Sequence, residues 1–296
     1  MDWFIRVVKG MVIALGFILP GVSGGVLAAI MGIYERLVRF MANIRSRFTQ
    51  DFPFFIPVGI GGVLGLVLLS RPLEWALSNW QVPVLWFFAG AIIGTLPSLW
   101  RESTQHSQRD PVDWAWLIGT AILGGALFYV LPMATGSVPA NFAGFLLAGG
   151  LIALGVLVPG LSPSNLLLIL GLFTPMLQGF SDRNVLGVFL PIAVGAIVVM
   201  LSLAKIMERL LDSAHSRVYH FIIGLVISST ILIVIPTHSE ESISYAGAST
   251  AQLAAAGGLA VVGLALGLWM SHLEGKYKVV SDEIDEVESG ATPGSR

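Results

Sequence analysis

Pro20-Gly21-Val22-Ser23 and Pro159-Gly160-Leu161-Ser162 are two copies of one short motif, set 139 residues apart in a chain of 296. The first leads into an apolar stretch ending Ile30-Met31-Gly32-Ile33-Tyr34, the second into one ending Ile169-Leu170-Gly171-Leu172-Phe173. Upstream, Gly10, Ile13, Ala14, Leu15 and Gly16 align with Gly149, Ile152, Ala153, Leu154 and Gly155. Downstream the spacing becomes 134, and Pro57, Gly61, Arg71, Glu74 and Gly90 align with Pro191, Gly195, Lys205, Glu208 and Gly224. A hydrophobic segment broken by Gly and Pro at matching places in two halves of a membrane protein points to a transporter's binding site.

The composition fits a membrane protein. Mean hydropathy is +0.83 and charged residues make up 11%, too few to cover the surface of a soluble chain of this length. The absence of cysteine rules out disulfides and thiolate metal sites. The first 25 residues also imitate a signal peptide, with Arg6 and Lys9 ahead of an apolar core and Gly21 and Ser23 behind it. The internal copy at 149–160 argues against cleavage, because no signal acts mid-chain.

Each half reads as five apolar segments. In the first half, residues 1–135, they are a hairpin over 7–34 (arms 7–19 and 22–34) and spans at about 54–70, 82–99 and 113–132. In the second, residues 136–274, they are a hairpin over 143–177 (arms 143–158 and 162–177) and spans at about 186–204, 218–236 and 251–271. The hairpin arms are short of the ~20 residues that cross a bilayer, and Pro-Gly joins them with no polar loop. A re-entrant loop fits, provided protein or a wet cavity surrounds the broken backbone; two full spans, which give the same parity, are the alternative. Three further spans per half is an odd number, so the second half is inverted. The expected fold class is an all-α polytopic membrane protein built as an inverted-topology repeat, each half a re-entrant helical hairpin plus three transmembrane helices.

With both termini in the cytoplasm, this topology puts 14 of the 16 Lys and Arg residues inside and leaves only Arg71 and Arg183 outside, as the positive-inside rule requires. The eight tryptophans fall near segment ends, where interfacial anchors belong. Residues 275–296, with Asp282, Glu283, Asp285, Glu286 and Glu288, read as a disordered cytoplasmic tail.

The chemistry is expected at the two hairpin tips. Ser23 can cap one short helix, with Gly24 and Gly25 leaving amides uncovered, and Ser162 can cap the other, with Pro163 at its first position. Ser164 and Asn165 add hydroxyl and amide donors. Gly21, Ser23, Gly24, Gly25, Gly160, Ser162, Ser164 and Asn165 form the candidate anion site. The alternative is that these breaks serve packing alone. Apart from Lys9 near the start of the first arm, no Asp, Glu, Lys, Arg or His lies within the proposed hairpin membrane segments, which disfavours an acid–base enzyme or a metal centre there. Arg71/Glu74 and Lys205/Glu208 put a matched i,i+3 pair on one helix face in each half. They read either as snorkelling anchors with a local ion pair or as groups that receive and release an anionic head group. Glu35 and Arg36, after the first hairpin, share that ambiguity. The histidines His106, His215, His220, His238 and His272 read as interfacial side chains without metal-ligand spacing. Gly61/Gly65, Gly90/Gly94 and Gly263/Gly267 suit close helix packing. A phosphate loop and a nucleophile elbow are both missing.

The paired segments Pro-Gly-Val-Ser-Gly-Gly…Gly-Ile-Tyr-Glu and Pro-Gly-Leu-Ser-Pro-Ser…Gly-Leu-Phe resemble those of the prokaryotic polyprenyl-phosphate transporter family, long labelled a domain of unknown function. The likeness covers about residues 5–275, with Pro163 and Ser164 standing where Gly-Ser is expected. It implies a bacterial inner-membrane protein that returns undecaprenyl phosphate from the outer to the cytoplasmic leaflet for cell-envelope synthesis, a flippase rather than an enzyme. The residues alone reach only an anion-binding, inverted-repeat carrier, so an ion-coupled carrier of a small soluble anion stands as the alternative. No cofactor is expected beyond a coupling H⁺ or Na⁺, with Glu74 or Glu208 as candidate proton carriers. The expected partners are the bilayer and a polyprenyl phosphate, with a homo-oligomer as an open alternative and no nucleic acid.

Overall fold

The computed structural model describes residues 2–22, 24–33, 36–37, 40, 44–104, 109–135, 138–157, 163–237 and 242–288. Among them all regular structure is helical. The elements are α1 Asp2–Ile18, α2 Gly24–Ile30, α3 Ile44–Asn79, α4 Gln81–Glu102, α5 Pro111–Thr135, α6 Phe142–Leu157, α7 Pro163–Ile169 and α8 Phe173–Ser181. A π-turn over Val185–Phe189 then leads into α9 Leu190–Val234, and α10 Thr250–Glu288 follows. Among the described residues six stretches are long and apolar enough to cross a membrane, so the chain is a multi-pass membrane protein.

Local sequence explains where several helices start. Asp110 and Asp113 cap each other's backbone amides at 2.9 and 3.0 Å ahead of α5, with Pro111 at the first helical position. Ser249 and Gln252 do the same for α10 at 3.1 and 3.2 Å. Asn141 accepts from the Gly144 amide at 3.1 Å at the start of α6.

The helices run further than hydropathy predicts. α3 starts at Ile44 and continues through Arg71 and Glu74 to Asn79 with Pro53, Pro57 and Pro72 inside it. α9 fills the predicted loop between 204 and 218 and bends at Ala214, whose φ of −144° and ψ of 37° are not helical. α10 continues to Glu288, so residues 275–288 are helical rather than a disordered tail, and 289–296 lie outside the described residues. Extending a helix needs no new nucleus, and the i,i+4 spacing of Glu274 and Lys278 favours it. Hydropathy marks the lipid-facing part of a helix, not its ends.

The predicted second arms, 22–34 and 162–177, are also broken. α2 and α7 are each seven residues long. Gly32 at φ +68° and Gly171 at φ +73° then turn the chain, a left-handed cap that suits glycine. The same bonds close both turns: Ile33 N–H to Ala28 O and Leu172 N–H to Leu167 O, each 2.9 Å. After Gly171 the chain leaves as α8, bent 107° from α7.

Packing repeats between the halves as well. A Cβ on Gly10 would strike the Val58 carbonyl and one on Gly61 the Val7 carbonyl, fixing α1 on α3. Gly149 with Ile192 and Gly195 with Leu146 fix α6 on α9 in the same way. The third spans cross over. α10 packs on α4 through Gly90, Gly94, Gly263 and Gly267, and α5 packs on the C-terminal arm of α9 through Gly224. In α4 and that arm 56% of the spanning window is buried, against 11–22% in the other four spans. These two matched helices therefore form the centre, and the rest face lipid.

Candidate functional site

The first tip is a turn at Pro20–Gly21. Gly21 sits at φ +78°, buried so tightly that a Cβ would lie 2.6 Å from the backbone of Ala91, halfway along α4. The second tip opens α7, where Ser164 and Asn165 are 1% and 2% exposed. Ser164 Oγ donates to the carbonyl oxygen of Phe17, in the last turn of α1, at 3.1 Å. The start of α7 therefore touches the last turn of α1.

Asn165 points into the central helix. Its Nδ2 donates to Ser229 Oγ at 2.6 Å, and Ser229 Oγ donates to Val226 O at 3.1 Å. Asn165 Oδ1 is buried with no hydrogen-bond partner. An unmet acceptor in apolar surroundings costs about 1–3 kcal/mol, and polar groups inside membrane segments are typically functional. Packing alone would not select this residue, since its repeat partner at this position is Val26.

The structure gathers only part of the predicted set at this place. Gly21, Ser164 and Asn165 are there, and Gly24 opens α2, its Cβ position 3.6 Å from the Phe17 ring. Gly25 lies in α2. Ser23, Glu35, Gly160 and Ser162 lie outside the described residues, as do the side chains of Lys205 and Glu208, which are placed on α9. Arg71 and Glu74 lie on α3 beyond the tips, Arg71 exposed, and no ion pair links them, contrary to the local pair expected from their spacing. Arg36 is engaged away from the tips. Its Nε donates to Asp51 Oδ1 at 2.7 Å, and its guanidinium lies 3.9 Å from the centre of the Phe54 ring, which Arg6 also covers.

Three participants were missed from the sequence. Phe17 contributes only its backbone, which no motif reveals. Ser229 belongs to the run Ser228-Ser229-Thr230, a polar interruption in an apolar segment that gives a usable signal. His220, expected near a segment end, is also fully buried between Trp100 and Trp114, with ring centroids 5.8 and 6.4 Å away. Crossing of the halves buries it, which segment position alone does not indicate.

The fold and this interior site define a multi-pass helical membrane protein with a polar pocket of residues where two broken apolar segments meet a central helix. The comparison of sequences gives the family. Residues 13–251 match the family described as undecaprenyl phosphate translocase-like, and the chain belongs to it. A polyprenyl-phosphate transporter of Vibrio cholerae is 25% identical over 77% of this chain and 77% of its own length. One of Staphylococcus aureus is 28% identical over 76% of this chain and 84% of its own. Both relatives are named as transporters, in line with a role other than enzyme. No solved structure matches the chain.

Proposed function

We propose that this protein carries a polyprenyl phosphate, undecaprenyl phosphate in particular, from the outer to the cytoplasmic leaflet of the bacterial inner membrane, with its phosphate held at the hairpin tips. The observation that carries the reading is the buried cluster Ser164–Asn165–Ser229 against Phe17, in a chain of the translocase-like family.

The physics favours such a site. A bare phosphate in hydrocarbon costs tens of kcal/mol, so donors have to replace its water. Each hydrogen bond to a charged group contributes about 1.5–3 kcal/mol. The short α2 and α7 have little macrodipole to offer, and hydroxyl and amide donors carry most of the load. Ser164 O–H, one N–H of Asn165 Nδ2 and Ser229 O–H donate to protein acceptors in this arrangement. A phosphate oxygen competes with Phe17 O for Ser164, so binding loosens the contact between hairpins. Asn165 Oδ1 can accept from the P–OH of a monoanionic phosphate ester, whose second pKa is near 6. The prenyl chain stays in lipid outside the bundle.

The reading includes inverted repeats with re-entrant hairpins and both termini in the cytoplasm. Matched packing of α1 on α3 and α6 on α9 supports the repeat. Two returns support the re-entrant course: Lys9 Nζ bonds the Met31 carbonyl, and Leu172 lies beside Gly144 at the start of α6. Moving an anion toward a negative interior costs about 2.3 kcal/mol per charge per 100 mV, so accumulation inside requires a co-transported cation, H⁺ or Na⁺. Arg71 receives the head group outside and Lys205 releases it inside.

The test is leaflet-resolved movement of undecaprenyl phosphate in proteoliposomes of the full chain. Movement that inorganic phosphate does not inhibit supports the lipid substrate. Absence of lipid movement under every imposed ion gradient refutes it, and uptake of inorganic phosphate in its place would establish the soluble-anion carrier.

A further inference from the structure

The buried group that phosphate binding leaves unused is His220, on the same arm of α9 as Ser229. They stand nine positions apart, about 14 Å of helix. His220 Nδ1 lies 2.7 Å from the carbonyl oxygen of Ser216. A carbonyl only accepts, so Nδ1 carries the hydrogen and Nε2 carries a lone pair. That Nε2 is buried without a partner. Ser216 Oγ lies 3.3 Å from Nδ1 and donates to Asp113 Oδ2 at 2.7 Å, and Asp113 is 2% exposed. A buried carboxylate thus lies one hydroxyl away from an imidazole with an open proton acceptor.

We infer that His220 Nε2 is a proton-binding site, taking up the proton that travels with the lipid anion; the inference rests on the coupled transport proposed above. Protonation at Nε2 leaves the Nδ1–H bond intact and creates an imidazolium that Asp113 stabilises through Ser216. Other charged groups face this region, among them Arg217, which also acts on Asp113. On α4, Glu102 accepts from His215 through its carbonyl at 3.0 Å. In the following loop, Arg109 lies 4.0 Å from the centre of the Trp100 ring, and Asp110 approaches Arg217 of α9 at 3.9 Å. On α10, Glu274 faces the neighbouring Tyr219. Asp113 reaches His220 through a hydrogen-bonded link at Ser216. The kink at Ala214 lies next to the linked residues, so a charge gained at His220 acts where α9 already bends.

The experiment uses the full chain in liposomes containing undecaprenyl phosphate, with trapped pyranine and an imposed pH gradient. One proton per lipid shifts the steady-state lipid distribution about tenfold per pH unit. The wild type is expected to follow that slope, with pyranine reporting lipid-dependent proton entry. In His220→Asn, whose amide N–H replaces Nδ1–H, the slope is expected to fall to zero, each protein being referred to its own rate without a gradient. A wild-type slope in a folded His220→Asn protein overturns the inference, and so does a wild type that moves lipid without protons. A wild type that moves no lipid overturns the transport reading and this one with it. If His220→Asn fails to fold, Asp113→Asn decides: without the carboxylate the lipid distribution is expected to lose its dependence on the pH gradient, and a wild-type slope overturns the assignment.

Discussion

Ser164 donates its hydroxyl to the carbonyl oxygen of Phe17 at 3.1 Å, across 147 positions of the chain. This bond ties the start of α7 to the last turn of α1. Under the proposed function it uses a donor that a phosphate group would claim, so the same hydroxyl would be a structural tie without lipid and a ligand with it. Ser164→Ala is therefore expected to lower thermal stability by only about 1 kcal/mol, while transport of undecaprenyl phosphate falls roughly tenfold or more, the loss of one hydrogen bond to a charge. Melting in detergent and the proteoliposome assay measure the two effects.

Asn165 separates function from stability in the other direction. Asn165→Leu keeps the branched shape and removes the unmet Oδ1, and Ser229 still bonds Val226 O. The melting temperature is expected to hold or rise, because a desolvation cost of about 1–3 kcal/mol disappears, while transport is lost. Full transport by a stable Asn165→Leu protein would remove this residue from the site.

The matched glycines can be tested as a pair. Gly61→Ala and Gly195→Ala push a methyl into the Val7 and Leu146 carbonyls and are each expected to destabilise by about 1–3 kcal/mol. Gly59, on the same helix with open space at its Cβ position, is the control. Gly59→Ala is expected to be neutral or to stabilise by about 0.5–1 kcal/mol through helix propensity.

Arg71 is exposed and unpaired with Glu74, so Arg71→Ala is expected to change stability by less than about 0.5 kcal/mol. If it receives head groups, the same change raises the lipid concentration needed for half-maximal transport without altering the maximal rate. Arg71→Lys restores part of that loss, and added salt narrows the difference between wild type and alanine variant.

Most of the helical plan was legible in the sequence. Membrane spans follow from hydropathy, which measures the same transfer that lipid imposes, and the duplication is visible as repeated Gly and Pro positions because backbone crossings tolerate few alternatives there. Gly10, Gly61, Gly149 and Gly195 are recognisable for that reason, as is the broken course of both hairpins. Helix ends were less legible. Ala214 bends a helix that was read as two, and residues 275–288 continue one that was read as ended, because helix propagation costs little once a span exists.

The sequence by itself determined a membrane protein of duplicated halves with two Gly-Pro breaks and polar residues beside the second. Only the tertiary structure decided which distant groups those residues meet. Ser164 finds a backbone oxygen, Asn165 finds Ser229, and His220 is buried beside Asp113 because the third span of each half crosses onto the other half. Such contacts depend on how helix faces are apportioned between lipid and neighbours. In a chain whose faces are nearly all apolar, hydropathy does not distinguish one from another, and close packing at small residues makes the choice.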